Sequence, residues 1–386
     1  MNKVCIKTCK EYDLELLKQA ISDIFNHLGG IENIIKENDK VFIKPNMLGP
    51  HSPDQAITTH PIFLKAVIQL VKTRTNNIIV GDNPAIKEIK TCMKVSGIGK
   101  VIEEESVLSL SKELISIENK DSKIFKSFEV SKDMVDANVF INLPKLKTHS
   151  LTYITCSIKN MFGLIYGLSK SNWHIRAKSP LEFSNLMADL YHTFITQYQN
   201  KKILSLVDGI LGLQGEGPST SGTPINSNII IGGIDFSAVD VVACEIMQLD
   251  PSKNIIPLVI KERELGYANI SEIDLVGDDI NNVKIQFIPP KNSLSIFGLK
   301  VLRIKFLVNL LQEHPKILKT KCIKCQECVK ICPAKTLKLN SNEKKLKLKK
   351  NKCIRCFCCI EVCPKNAIYR SRRPLLGKIV LKDRKS

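Results

Sequence analysis

No stretch of roughly 18 or more uncharged apolar residues occurs in this 386-residue chain, which argues against a membrane-crossing helix. The nearest approach, residues 294–311, is interrupted by Lys300, Arg303 and Lys305. The first ten residues, Met-Asn-Lys-Val-Cys-Ile-Lys-Thr-Cys-Lys, lack the apolar core of a secretory signal, so a cytoplasmic protein is expected. Glycines at 209, 212, 215, 217 and 222 match neither Gly-x4-Gly-Lys-Ser/Thr nor Gly-x-Gly-x2-Gly, which excludes a P-loop and a dinucleotide fingerprint there. Acidic residues are scarce in one place only. Residues 315–386 hold 22 Lys+Arg against 4 Asp+Glu, whereas the other 314 residues hold 35 against 34. Nearly all of the net charge of +19 therefore belongs to the C-terminal region. The hydrophobic share of 44% and charged share of 25% are ordinary for a globular chain, and the length suits two or three domains.

Cysteine, by contrast, is plentiful. Eight of the 14 form two copies of Cys-x2-Cys-x2-Cys-x3-Cys-Pro. The first copy is Cys322, Cys325, Cys328 and Cys332 before Pro333; the second is Cys353, Cys356, Cys359 and Cys363 before Pro364. This is the ligand run of a bacterial-type two-cluster ferredoxin, in which the fourth cysteine of each run serves the other cluster. The expected cofactors are two 4Fe–4S clusters. Cys322, Cys325, Cys328 and Cys363 should hold one, and Cys353, Cys356, Cys359 and Cys332 the other. Zinc knuckles pair cysteines without a third at the same interval, and disulfides need an oxidising compartment, so neither fits as well. Cys358 lies off the pattern and reads as a spare thiol, as do Cys5, Cys9, Cys92, Cys156 and Cys244. Val329, Ile331, Ile360 and Val362 should pack over the clusters. Alternating apolar and basic residues at 336–339 and 345–349 predict a hairpin between the two copies. Such clusters suggest an anaerobic or microaerobic host.

Upstream, strand and helix signals alternate. Residues 3–7, 40–45, 77–82, 138–143, 202–208 and 228–231 read as strands. Residues 14–28, 61–72, 180–197 and 235–249 read as helices, the last capped by Asp235 or Ser237. Uniformly apolar strands between amphipathic helices predict an α/β fold with a mainly parallel sheet, followed by a small α+β ferredoxin-type domain. The expected boundaries are 1–290 for the α/β domain, 291–317 for a linker helix, 318–369 for the cluster module and 370–386 for a basic tail.

Sites in open α/β sheets gather beyond the C-terminal ends of strands. Lys44-Pro45-Asn46, Thr58-Thr59-His60, Gly81-Asp82-Asn83, Lys145-Leu146-Lys147-Thr148-His149, Asp208-Gly209 and Glu216-Gly217-Pro218 all follow strand signals. Lys44, Lys145 and Lys147 could converge on a phosphate or carboxylate. His60 and His149 could exchange protons, and Asp82, Asp208 and Glu216 could act as bases or bind a hard cation. The glycines from 209 onward could let backbone amides approach a ligand.

Ile43-Lys-Pro-Asn, Thr58-Thr-His-Pro, Asn142-Leu-Pro-Lys-Leu-Lys-Thr-His, Ile158-Lys-Asn-Met-Phe-Gly-Leu, Asp208-Gly and Gly215-Glu-Gly-Pro, in this order, resemble the domain of unknown function 362 family. Several members carry a C-terminal two-cluster module. The resemblance implies one shared site for Lys44, Asn46, Lys145, Lys147, His149, Lys159, Asn160, Asp208 and Glu216. Lys145, Lys147, His149, Asp208 and Glu216 are the candidate catalytic groups; Lys44, Asn46, His60, Lys159 and Asn160 are the candidate substrate-binding ones. The leading reading is a redox enzyme that relays electrons from the clusters to a small anionic substrate. An electron-transfer adaptor without its own chemistry is the alternative, and a nucleic-acid or anionic-membrane binder with structural or sensing clusters is a third. The basic module calls for an acidic partner such as ferredoxin or flavodoxin.

Overall fold

A computed structural model of the chain describes residues 2–84, 89–166, 169–177, 179–290, 313–340 and 345–371. The expected helix at 294–311 and the basic residues from 372 onward lie outside these.

The large domain is built on β1 (Lys3–Thr8), β2 (Val41–Pro45), β3 (Ile78–Val80), β4 (Leu108–Ser109), a side hairpin of β5 (Leu114–Glu118) and β6 (Ser127–Ser131), then β7 (Val139–Leu143), β8 (Lys145–His149), β9 (Tyr153–Thr155), β10 (Lys202–Gly215), β11 (Gly222–Gly233) and β12 (Asp274–Gly277). The main sheet runs β12-β1-β11-β10-β7-β2-β3-β4. Pairs from β10 through β7, β2 and β3 to β4 are parallel, and β11 is antiparallel to both neighbours. The fold is α/β with a mostly parallel sheet, as expected.

The apolar strands read that way because both faces are covered. In β7, Val139, Ile141 and Leu143 join one core and Phe140 the opposite one. Helices Leu14–His27 and Pro61–Lys72 cover the first face. Helices Pro180–Gln197, Phe236–Ile246 and Ile255–Glu262 cover the other, where Phe140, Phe194 and Phe236 meet. Each fully buried phenylalanine contributes on the order of 1.5–3 kcal/mol. Asp13 caps the first helix, accepting from the Glu15 and Leu16 amides; Asp235, not Ser237, caps the helix at Phe236.

Two segments expected only to follow strands are themselves strand. Pro144 separates β7 from β8, but the chain continues along the same long neighbour, β10. The glycine-rich stretch is likewise the β10–β11 hairpin. A Cβ on Gly209 would meet Ile229 at 3.0 Å, and one on Gly212 would meet the Phe287 ring at 2.9 Å. These glycines allow close packing within a sheet.

The C-terminal module contains β13 (Pro315–Ile317), β14 (Leu337–Asn340), β15 (Lys345–Leu348) and β16 (Ile368–Arg370). β14 and β15 form the predicted hairpin. β13 pairs with β16, so the module's sheet begins inside the stretch assigned to the linker and includes Arg370, assigned to the tail. The module docks on the large domain through Ser219, which donates to the Glu361 carbonyl at 2.8 Å. Asn366 donates to the Thr220 carbonyl at 3.0 Å.

Candidate functional site

A cavity of about 220 Å³ lies where the two domains meet. The strand ends of the large domain supply Asn46, Asp82, Lys147 and His149; the segment 159–163 supplies Lys159, Asn160 and Phe162. The module closes it with Glu327, Ile331, Cys358, Glu361 and Val362.

Lys147 and His149 face the same way because side chains repeat every second residue along β8. Lys147 Nζ donates to Asn46 Oδ1 and to the Ile57 carbonyl, both at 2.7 Å. Burial, then Lys159 and Lys145, push this lysine down to about 7. No carboxylate forms an ion pair with it among the described residues. Its position is fixed by a run of amides. Asn46 donates to Asn160 at 2.9 Å, Asn160 to Asn142 at 2.8 Å, and Asn142 to the Ser157 carbonyl at 2.9 Å.

Lys159 Nζ lies 4.8 Å from the centre of the Phe162 ring and 5.4 Å from that of Phe183. Burial lowers its proton affinity, and Glu361 of the module is the first group opposing that. His149 Nδ1 accepts from the Leu151 amide at 3.0 Å. Burial, then Lys159 and Lys147, hold this ring well below the ordinary histidine value, so it is neutral with its proton on Nε2. His51 and His174, absent from the sequence-based set, also line the cavity; burial brings them down to about 4 and about 3. Neutral histidines and buried lysines give the cavity hydrogen-bond donors and basic groups.

Lys44 sits just behind the wall. Its Nζ is 2.9 Å from Asp82 Oδ1, and Asp82 Oδ2 accepts from the Met47 amide at 2.8 Å. A Cβ on Gly163 would collide with Asp82 Oδ1 and lie 2.6 Å from Lys44 Nζ. Only glycine therefore lets the 159–163 segment close over this ion pair.

The remaining candidates lie elsewhere. Lys145 is opposite Asp208 in the β8–β10 register, and the two form a fully buried ion pair at 2.9 Å. Tyr12 donates to Asp208 at 2.7 Å and accepts from Lys145 at 2.7 Å. The His60 amide donates to Asp208 at 2.8 Å, and the His60 ring stacks on Tyr12 at 3.6 Å. This closed network pins the N-terminal segment to the sheet. The expectation that Lys145 and Asp208 share one site with Lys147 is corrected accordingly, and His60, expected to bind substrate, belongs to this network instead. Breaking such a buried pair typically costs about 3–5 kcal/mol. Glu216 is also displaced: it lines a neighbouring crevice of about 250 Å³ with Phe357, Tyr369 and Arg370. The two cavities share Pro218 and Glu361.

In the module, Cys322, Cys325, Cys328 and Cys363 line one cavity. Cys332, Cys353, Cys356 and Cys359 line another. The fold thus gathers the fourth cysteine of each run beside the first three of the other, the grouping that crossed ligation needs. Burial and the neighbours Cys325, Cys363 and Cys322 push Cys328 up to about 12, so this sulfur is held as a thiolate by a cationic centre beside it. The Thr336 amide donates to Cys332 Sγ at 3.3 Å and the Ala367 amide to Cys363 Sγ at 3.2 Å. Among the described residues, no three His, Cys, Asp or Glu groups converge on a single-ion site. Four sulfur donors around a cavity, with amides aimed at sulfur, fit an iron–sulfur cluster. Cys358 lines both the second of these cavities and the inter-domain one.

Residues 41–245 match the family described as Domain of unknown function (DUF362). This chain belongs to the DUF362 family. Residues 314–364 match the 4Fe-4S dicluster domain, so this DUF362 member carries a ferredoxin-type iron–sulfur module. It is 29% identical over 271 residues to Thylakoid-associated protein sll1697 of Synechocystis sp., covering 69% of this chain and 80% of that protein. Two solved structures share a looser likeness. One is a protein from Thermotoga maritima (13% identity, TM-score 0.39, 63% of this chain and 61% of that one). The other is the lactate racemase apoprotein from Thermoanaerobacterium thermosaccharolyticum (14% identity, TM-score 0.39, 64% and 58%). Among the described residues, no helix is long and apolar enough to cross a membrane.

Proposed function

We propose that this DUF362 member is a redox enzyme that reduces a small anionic substrate in the inter-domain cavity. When bound, a 4Fe–4S cluster in each cysteine-lined cavity supplies single electrons at low potential. One observation carries the reading: Cys358, Glu327 and Pro364 each line both the inter-domain cavity and one of the cysteine cavities. Substrate held there stands one side chain away from the electron source.

The chain's own residues divide the remaining work. Lys159, in its aromatic setting, holds the negative charge of the substrate. Lys147, poised near neutrality by burial, binds the same group and gives up the proton that a reduction consumes. His149 donates from Nε2. Asn46 and Asn160 fix Lys147 and offer amide groups to the substrate. The volume of about 220 Å³ is below the roughly 300–1,000 Å³ of drug-sized clefts, which favours a compact carboxylate or phosphate ester. The reading sets the protein in a reducing compartment.

Purified protein, reduced without oxygen and mixed with a panel of small carboxylates and phosphate esters, should be reoxidised by a narrow set of them. Lys147→Met should abolish that reoxidation while iron content and visible absorbance stay unchanged. Full turnover in this variant would remove the cavity as the site.

A further inference from the structure

The two copies of the cysteine motif differ in what surrounds them. Of the eight ligand cysteines, Cys325 alone is exposed. The chain around it is open to solvent: Leu318, Lys319, Thr320, Lys321, Ile323, Lys324 and Gln326 are all exposed, Ile323 to 56%. Lys365, from the other copy, lines the same cysteine cavity as Lys324 and is exposed too. Residues 318–326 contain three lysines and no acidic residue. An exposed isoleucine ringed by lysines over an electron-carrying centre has the anatomy of a transient interface: a small apolar contact with a charged rim.

We propose that this face is the electron-entry surface and that its occupant is a small acidic electron-carrier protein of the ferredoxin or flavodoxin kind. The inference rests on the cluster reading of the module and not on the substrate cavity. Opposite charge steers the encounter; Ile323 gives apolar contact; Cys325 brings the first cysteine cavity to the surface. In each encounter the reduced carrier loses one electron and the module gains it, with no bond made or broken. The inter-domain cavity lies on the module's other contact, against the large domain, so the carrier and the substrate do not compete for space.

The test uses the full-length protein with iron and sulfide in place, and a purified acidic flavodoxin reduced to its hydroquinone. Stopped-flow bleaching of the module should give a second-order rate that falls steeply with salt. Lys321→Glu/Lys324→Glu should slow it by about tenfold or more and flatten the salt dependence. Direct binding, measured by titration calorimetry at low salt, should weaken in parallel. Iron content should not change, and the rate of reduction by an uncharged small-molecule reductant should stay within about twofold. Lys319→Glu/Lys321→Glu, which leaves the residues between the cysteines intact, serves where the first variant assembles poorly, and should act in the same direction. Charge reversal of the exposed Lys349 and Lys350 beside the second copy should leave the rate within about twofold. Equal loss in that control, or no loss in the first two variants, overturns the proposal. Lys147→Met should leave this rate untouched, so failure of the substrate site is read separately.

Discussion

The two cysteine runs are copies in backbone but differ in what surrounds them. Lys324 and Arg355 share a left-handed φ of 59°, Gln326 and Phe357 have 62° and 58°, and Lys335 and Asn366 have 49° and 48°. Each run leads into a short helix, Glu327–Ile331 or Cys358–Glu361, and each ends with an amide on the sulfur of its fourth cysteine. The repeat therefore keeps the backbone the same at matching positions, while the outward side chains diverge. At one matched pair, Lys330 points to solvent and Glu361 lines the cavity. At another, Gln326 is exposed while Phe357 lies under the Arg370 guanidinium, 3.9 Å from its ring centre. The same scaffold used twice turns its first ligand loop to solvent, while both short helices reach the inter-domain cavity, through Glu327 and Ile331 in the first copy and Cys358 and Glu361 in the second.

The strongest way to break this symmetry is to attack the crossing. Cys322→Ser combined with Cys363→Ala removes two ligands of the same cavity and should lower iron and acid-labile sulfide by about half. Cys322→Ser combined with Cys332→Ala removes one ligand from each cavity and should lose nearly all of both. Anaerobic iron and sulfide analysis with electron paramagnetic resonance separates the outcomes. The reverse pattern, half lost in the second double variant and nearly all in the first, would mean that each run holds its own cluster.

The inward side can be probed from the large domain. Lys147 falls to about 7 on burial, its first cause, whereas an unfolded lysine titrates near 10.4. Between those values the unfolded chain binds the extra proton, so stability should rise with pH across that window, by at most about 1.4 kcal/mol per pH unit for this group. Below about pH 7 the contribution is constant. Lys147→Met should flatten the rise in thermal midpoint between pH 7 and pH 10. An unchanged slope would mean that this amine is charged in the folded protein.

Ligand spacing alone makes the module legible in the sequence. Thiolate ligation ties chemistry to sequence interval, and the crossed fourth cysteine follows from the same rule. The α/β class is legible too, because strands covered on both faces lose their polar alternation. Two kinds of information are hidden. Glycine and proline usually mark turns, so Pro144 and the glycines of β10 disguise two strands. The partition of the polar residues is hidden as well. Lys145 and Lys147 differ by two positions, yet one meets Tyr12 and Asp208 while the other meets Asn46. Tyr12, His51 and His174 carry no motif. Glu361 and Cys358 enter the cavity through contacts between segments more than a hundred residues apart, which no local pattern records.

The smallest expected effects come from the pair that distinguishes the two copies. Lys330 is 64% exposed, with Glu327 as its partner at 3.2 Å, so Lys330→Gln should change stability by no more than about 0.5 kcal/mol and leave anion binding unaltered. Glu361 sits at the matched position but acts on Lys159 and Lys147. Its carboxylate partly offsets their charge and therefore opposes an incoming anion. At pH 8, Glu361→Gln should tighten binding of acetate or phosphate several-fold, about 1 kcal/mol, as read by thermal shift against anion concentration. Both variants keep the cysteines, so iron content serves as the control in each. If Glu361→Gln weakens the anion instead, its carboxylate positions the lysines rather than competing with the ligand, and the inward copy would be part of the binding site in a more active sense.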